Sequence, residues 1–403
     1  MQEIFVEKPY RFVPPHRGNG WPDFIQYFGL YLGHLRRREG VIDFEIRHAE
    51  RLAESLSARD AILLTPNHPR LGDPLVLGRL AHQVRTHVYV MASWHLFNQG
   101  LFTSFAVHKM GGFSIYREGM DRQAINAAIE ILENAERPLI IFPEGISTRT
   151  NDRLHCLLDG VSFIARTAAK RRKKKSGGRV VVHPVAIKYR FLGDLSATLD
   201  PVLGEIEKRL SWRPQRDLPL ISRIQRVGVA LLSLKELEYF GSTQSGKLSD
   251  RLHNLIERLL VPLEIEWLGK QETGPVVPRI KAIRMKILPD IIQRRVTAEE
   301  RERRWKHLAD TYLAQQVSCY PHDYLSRPTA ERLLETVERF EEDLTDRVRV
   351  HGNLKAIMDV GEAITVDPER DRSSNVDPLL KTIETSLQTT IDQLGAEIPT
   401  FEE

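Results

Sequence analysis

Between residue 61 and about residue 194 the chain repeats one alternation, a short apolar run followed by a stretch with helical spacing. The runs are "AILLT" at 61–65, "HVYVMA" at 87–92, "PLIIFP" at 138–143 and "RVVVHPVAI" at 179–187, and "DRQAINAAIEILENAE" at 121–136 is the clearest helical pattern between them. Runs this short and this apolar are strands buried on both faces, and the intervening helices cover them. The class is α/β with a largely buried sheet.

The texture divides the chain into four zones. Residues 1–50 are expected to hold N-terminal amphipathic helices, because in "WPDFIQYFGLYLGHLRRR" at 21–38 the residues Trp21, Phe24, Ile25, Phe28, Tyr31, Leu32 and Leu35 recur at helical spacing. Pro22 suits a first helical turn. Such a helix either packs on a core or lies among lipid headgroups. Residues 51–194 form the α/β core, and residues 195–345 read as a long α-helical insertion. In that insertion Leu333, Val337, Phe340 and Leu344 make one apolar stripe on an otherwise solvated helix. Residues 346–403 are expected to return to the sheet through "NLKAIMDVGEAITV" at 353–366 and to end in a helix carrying Leu380, Ile383, Leu387, Ile391 and Leu394. No repeat of fixed period is evident, and "SGG" at 176–178 and "DRSSN" at 371–375 read as loops.

Composition excludes several classes. Cys156 and Cys319 are the only cysteines, too few for a disulfide framework or a cysteine zinc site, which fits a reducing compartment. The opening "MQEIFVEKPYRF" is not a charged leader with an apolar stretch, and no run approaches the roughly 18 apolar residues of a span. The expectation is a cytoplasmic protein, peripherally associated with membrane. A formal net charge of +4 implies no strong field. The local run "KRRKKK" at 170–175 closes a helix, where cations complement the carbonyl end of the dipole or attract anionic lipid by about 1 kcal/mol each. Nucleic acid is not expected as a partner, since no aromatics are interleaved with the run.

"AILLTPNHPRLGDPLVLGRL" at 61–80 carries the first chemistry. A strand ends at Asn67 and His68, and a helix restarts at Asp73-Pro74, where Asp is a good N-cap and Pro is preorganised for the first turn. The tight turn between them can bring the Asp73 carboxylate against the His68 ring, so that one nitrogen is held as donor and the other is free to take a proton. That is the base half of a triad without its serine, and the nucleophile would be a hydroxyl brought by the substrate. The bland alternative is a satisfied loop histidine beside a helix cap. Further stretches are "GGFSIYRE" at 111–118, "LIIFPEGISTRTND" at 139–152 and "VVVHPVAIKY" at 180–189. Each has its own structural reading: a turn glycine with a surface arginine, a strand-end turn, and an edge strand holding Pro184.

In this order and spacing, over roughly residues 60–190, the stretches resemble the phospholipid and glycerol acyltransferase family, which includes the lysophosphatidic acid acyltransferases. The family's first block corresponds to Asn67, His68 and Asp73, its second to Gly112, Phe113, Ile115 and Arg117, its third to Phe142, Pro143, Glu144 and Gly145, and its fourth to Val182, Pro184 and Val185. In the third block Ile146, Ser147 and Thr148 replace the usual Thr-Arg-Ser, leaving Arg149 as the nearest guanidinium.

The resemblance implies acyl transfer from an acyl-CoA or acyl carrier protein thioester to a hydroxyl of a lysophospholipid or glycerol phosphate, with His68 as general base held by Asp73. It implies no cofactor and no metal. Asn67, Gly112, Arg117, Glu144, Gly145 and Arg149 become the expected substrate-binding residues. Arg117 and Arg149 are candidate phosphate clamps, because a guanidinium grips two oxygens at once. Glu144 is expected to orient an arginine or accept from an acceptor hydroxyl. Backbone amides near Gly145 and at the Asp73 helix start are candidate oxyanion donors. No G-x-S-x-G elbow, P-loop or G-x-G-x-x-G is present. The readings left standing beside this one are a different lipid acceptor, including a non-glycerol hydroxyl or amine, and a catalytically silent lipid-binding scaffold.

Overall fold

The computed structural model describes residues 7–320, 328–369 and 377–402; the loop expected at 371–375 lies outside them. The chain forms two compact units, Tyr10–Phe191 with Asn353–Ile398, and a helical unit made of Leu192–Gly352 with both described ends of the chain.

The first unit is built on a sheet. Its strands are β1 (Val41–Arg47), β2 (Ala61–Pro66), β3 (Tyr89–Ser93), β4 (Gly112–Ile115), β5 (Leu139–Ile140), β6 (Val180–Leu192), β7 (Asn353–Val360) and β8 (Ile364–Thr365). Their spatial order is β1-β7-β6-β2-β5-β3-β4, and β8 also pairs with β6. β2 runs parallel to both β5 and β6, β3 runs parallel to β4 and β5, and β1 runs parallel to β7, whereas β8 is antiparallel to β6. All six residues of β2 are buried, as expected for a strand covered on both faces. Ala61 and Leu63 point into a cluster with Ile131 and Leu132 of the helix Arg122–Asn134, Ile164 of Gly160–Ser176, and Ile383 and Leu387 of Pro378–Ala396. Ile62 and Leu64 are as deeply buried on the opposite face, because successive strand residues alternate.

Several expectations change here. The stretch 21–38 is two helices, Gly20–Phe28 and Leu30–Arg38, divided at Gly29, whose φ of 58° ends the first helix. The N-terminal zone is not helices alone, since β1 belongs to the sheet and the Ser114 amide of β4 donates to the Val13 carbonyl at 3.0 Å. Pro184 lies in β6, an interior strand flanked by β2 and β7, not on an edge. The helix Ala330–Thr345 is no solvated rod with one stripe, because Glu335, Glu338 and Arg339 are buried along with Leu333 and Val337.

The helical unit also holds the repeat that the sequence reading missed. Helices Leu220–Phe240, Leu248–Leu268 and Val276–Ile292 start 28 residues apart. Arg223, Arg251 and Arg279 recur at the same interval. Each pairs with a buried glutamate near the end of the preceding helix: Glu207 (Nε to Oε1, 2.9 Å), Glu236 (2.8 Å) and Glu264 (2.6 Å). Each glutamate also accepts from the amide eight residues on, that of Gln215, Gln244 or Glu272. One carboxylate thus ties a helix to its following loop and to the next helix. Breaking such a buried pair on one side alone costs on the order of 3–5 kcal/mol.

Because β7 lies between β1 and β6, a chain ending at residue 193 would expose the backbone edges of both strands together with the apolar bed of Ile383 and Leu387. Such a truncation is expected to aggregate and to show no cooperative melting by calorimetry. A soluble, cooperatively melting product would remove β7 from the folding unit.

Candidate active site

Two asparagines set the position of the loops that leave the sheet beside β6. Pairing of β2 with β6 ends at Pro66 opposite Val185. Beyond it, Asn67 accepts from the Ile187 amide at 2.7 Å and donates to the Ile187 carbonyl at 2.9 Å. Asn151 does the same to Tyr189, with both bonds at 2.7 Å. A carboxamide carries the donor and acceptor of a peptide group, so the two side chains continue the ladder after the neighbouring chain has turned away. Asn67 is buried, and both ends of its carboxamide are engaged by backbone, so it anchors the loop. Asn151, with no motif to mark it, is its counterpart.

The turn that follows brings His68 and Asp73 together. His68 Nδ1–H donates to Asp73 Oδ2 at 2.7 Å, and the imidazole stacks on Phe142 at 4.0 Å. Asp73 does not cap its helix. The N-cap is Gly72, with no side-chain capping bond, and the carboxylate turns back to accept from the Arg70 amide at 2.9 Å. Its other oxygen accepts from the Tyr189 hydroxyl. Burial first, and then the Asp73 charge, push the Tyr189 phenol well above its ordinary range, so it stays a donor. Asp73 is wholly buried, whereas the His68 side chain is 16% exposed, and its Nε2 has no partner among the described residues.

Glu144 has a different task from the expected one. Its Oε1 accepts from the His68 amide at 2.9 Å and its Oε2 from the His155 amide at 2.8 Å. It clamps two loops, and no arginine pairs with it among the described residues. Burial raises its carboxyl to about 8, against the lowering effect of the two amides and with a smaller contribution from the Asp73 charge. The His68 carbonyl accepts from the Thr148 amide at 2.9 Å and from the hydroxyls of Thr148 and Ser147 at 3.3 and 3.4 Å.

Gly145 has φ 70°, and a Cβ there would sit 2.5 Å from Leu158 Cδ1. Its amide donates to the Phe142 carbonyl, and the amides of Asp73, Leu75 and Val76 go to the carbonyls of Arg70 and Gly72. These four amides are thus already used within turns. Arg117 Nη1 donates to the Gly145 carbonyl at 3.3 Å, and its buried Nε has no partner among the described residues. Arg149 follows Thr148 in a left-handed conformation, φ 53°, and is partly exposed. Gly112 is a tight packing position, where a Cβ would lie 2.7 Å from the Val107 carbonyl. His183, in the fourth motif strand, is spent structurally between Ser55 and the Gly361 carbonyl.

Residues 44–188 match the family model described as Acyltransferase. This part of the chain is an acyltransferase family domain. The match begins within β1 and ends one residue before Tyr189, so the acyltransferase domain as folded also takes in β7, β8 and the terminal helix from outside it. No curated protein matches the chain.

Glu144 makes the acyltransferase domain pH-sensitive in a definite direction. A carboxyl raised on folding is protonated in the native state after the unfolded chain has ionised, so its contribution is present at low pH and is lost as pH rises from the ordinary carboxyl range to about 8. Relative to Glu144→Gln, the wild-type protein is expected to lose up to about 1.4 kcal/mol per pH unit across that window. Melting of both proteins from pH 5 to pH 8 checks this, and parallel curves would contradict it.

Proposed function

We propose that the protein transfers an acyl group from an acyl thioester, on coenzyme A or acyl carrier protein, to a hydroxyl of a lysophospholipid or glycerol phosphate, with His68 as general base. The observation that carries this reading is the state of the His68 ring: Nδ1 is fixed on a buried carboxylate and Nε2 is open. The nearby hydroxyls of Ser147 and Thr148 donate to the His68 carbonyl, not to its ring. Neither is activated as a protein nucleophile, so the hydroxyl comes from the acceptor. Nε2 takes its proton while the oxygen attacks the thioester carbonyl. The tetrahedral adduct then expels the thiolate, which recovers the proton from His68, leaving an ester and a free thiol. Asp73 holds the ring and stabilises the imidazolium. Arg117, whose guanidinium keeps unused donors, suits an acceptor phosphate.

A lysophospholipid acceptor lies in a bilayer, and the first unit has a surface suited to one. Trp21, Phe24 and Phe28 join Phe105 in a chain of ring contacts between the helices Gly20–Phe28 and Leu101–Lys109. Leu101 and Phe102 beside them are 92% and 83% exposed. Exposed aromatic bulk on paired helices suits the headgroup layer, and no described helix is long and apolar enough to cross a membrane. The basic run is a weaker anchor than its sequence suggests. Arg172 donates to the carbonyls of Arg59, Glu133 and Arg179, Lys170 pairs with Glu369, and Lys175 binds Asn134. Arg59 and Arg179 precede β2 and β6, so the run lies at the opposite end of β2 from His68.

His68→Ala is expected to lower thiol release from acyl-CoA with a lysolipid acceptor by about 10² to 10⁴, and Asp73→Asn by a comparable factor, with melting showing both folded. Turnover near wild type in folded His68→Ala would end the mechanism. Replacing Trp21 and Phe102 together by Glu is expected to weaken sedimentation with anionic vesicles at least tenfold, whereas replacing Lys173 and Lys174 by Ala changes it much less. The reverse ranking would return the docking role to the basic run.

A further inference from the structure

We infer that Tyr189 is a positioning residue for the His68–Asp73 pair, its phenolic hydroxyl fixing the carboxylate and setting how strongly that carboxylate draws on the imidazole. The proposal rests on the reading of His68 as base. Tyr189 lies just outside the segment that matches the family model.

The geometry leaves the phenol little freedom. Tyr189 is 1% exposed. Its backbone is held on both sides of the residue by Asn151, and the Arg70 guanidinium lies 5.4 Å from its ring centroid. From that seat the hydroxyl reaches Asp73 Oδ1 at 2.5 Å, while Oδ2 serves the Arg70 amide and His68 Nδ1. The carboxylate thus has one oxygen for the histidine and one for the tyrosine. A donor on the second oxygen spreads its negative charge and aims the first at the ring. Removing that donor leaves a buried oxygen unsatisfied and concentrates charge on the imidazole side, which favours the imidazolium. The charged groups facing this cluster are Asp73, Arg70 and Glu144, with Glu39 acting on Tyr189 from the end of the Leu30–Arg38 helix. None of them supplies a second hydroxyl to Asp73.

The test is Tyr189→Phe in the full-length protein, read in two ways. The first is the pH–rate profile of thioester cleavage, with kcat and both KM values. The second is the titration of the His68 ring resonance, assigned by its absence in His68→Gln. The expected result is a kcat about tenfold lower, both KM values within twofold, and an acid limb and ring titration midpoint moved together to higher pH by about one unit. In an Asp73→Asn background the same change should have almost no further effect, because its route is through Asp73. Uniform incorporation of 3-fluorotyrosine, which acidifies the phenol without removing it, should move the midpoint the other way and gives an answer even if Tyr189→Phe fails to fold. An unmoved midpoint in Tyr189→Phe, or in the fluorinated protein if that variant does not fold, overturns the proposal, as does an equal loss in the Asp73→Asn background. The ring titration does not depend on activity. A moved midpoint with an active His68→Ala variant would therefore leave Tyr189 coupled to the pair while removing His68 as the base.

Discussion

A carboxylate buried without compensation costs several kcal/mol, and Asp73 is wholly buried with three donors on its two oxygens. Each donor comes from a different constraint. His68 arrives because Asn67 fixes the end of β2, the Arg70 amide because the turn closes on itself, and Tyr189 because β6 runs on past its neighbour. If any of these elements shifts, the carboxylate loses a partner it cannot replace with water. The arrangement therefore makes the His68–Asp73 pair and the local fold one object, and a substitution at Asp73 is expected to act on both.

β6 is the element on which this convergence depends. Its thirteen residues outreach β2, and the surplus is used twice over. On the backbone it offers Ile187 and Tyr189 to the two asparagines, and through a side chain it offers the Tyr189 hydroxyl to Asp73. Glu144 completes the frame by joining the His68 amide to the His155 amide. The residues that hold the site are thus largely residues that hold loops. The groups left open beside them, His68 Nε2 and part of the Arg117 guanidinium, are the ones with chemistry to spare.

In the helical unit an equivalent economy appears in a different form. A glutamate with two duties, one on a loop amide and one on an arginine, recurs three times. It was invisible in the sequence because glutamate and arginine are abundant there and every amphipathic helix already carries its own period. Three recurrences of single charged residues stand out only once their partners are seen. The buried charges of the helix Ala330–Thr345 were missed for the same reason: an amphipathic stripe shows which residues are apolar, not how many neighbours will cover the rest.

The α/β class and strands at about 61–65 and 179–187 were legible from apolar runs alone, and the approach of His68 to Asp73 from a turn too short to permit much else. Tertiary structure decided what the other motif residues do. Asn67 and Glu144 look like ligand contacts in one dimension, yet their partners are the Ile187 backbone and two loop amides, and Gly112 sits where Val107 leaves no room for a Cβ. Tyr189 and Asn151 look like nothing in particular, yet one closes the Asp73 carboxylate and the other fixes the strand that carries it. The physical reason is that local spacing controls contacts within a few residues, whereas a polar group's partner across a sheet depends on where two strands stop pairing. That stopping point is set by the packing of the whole sheet.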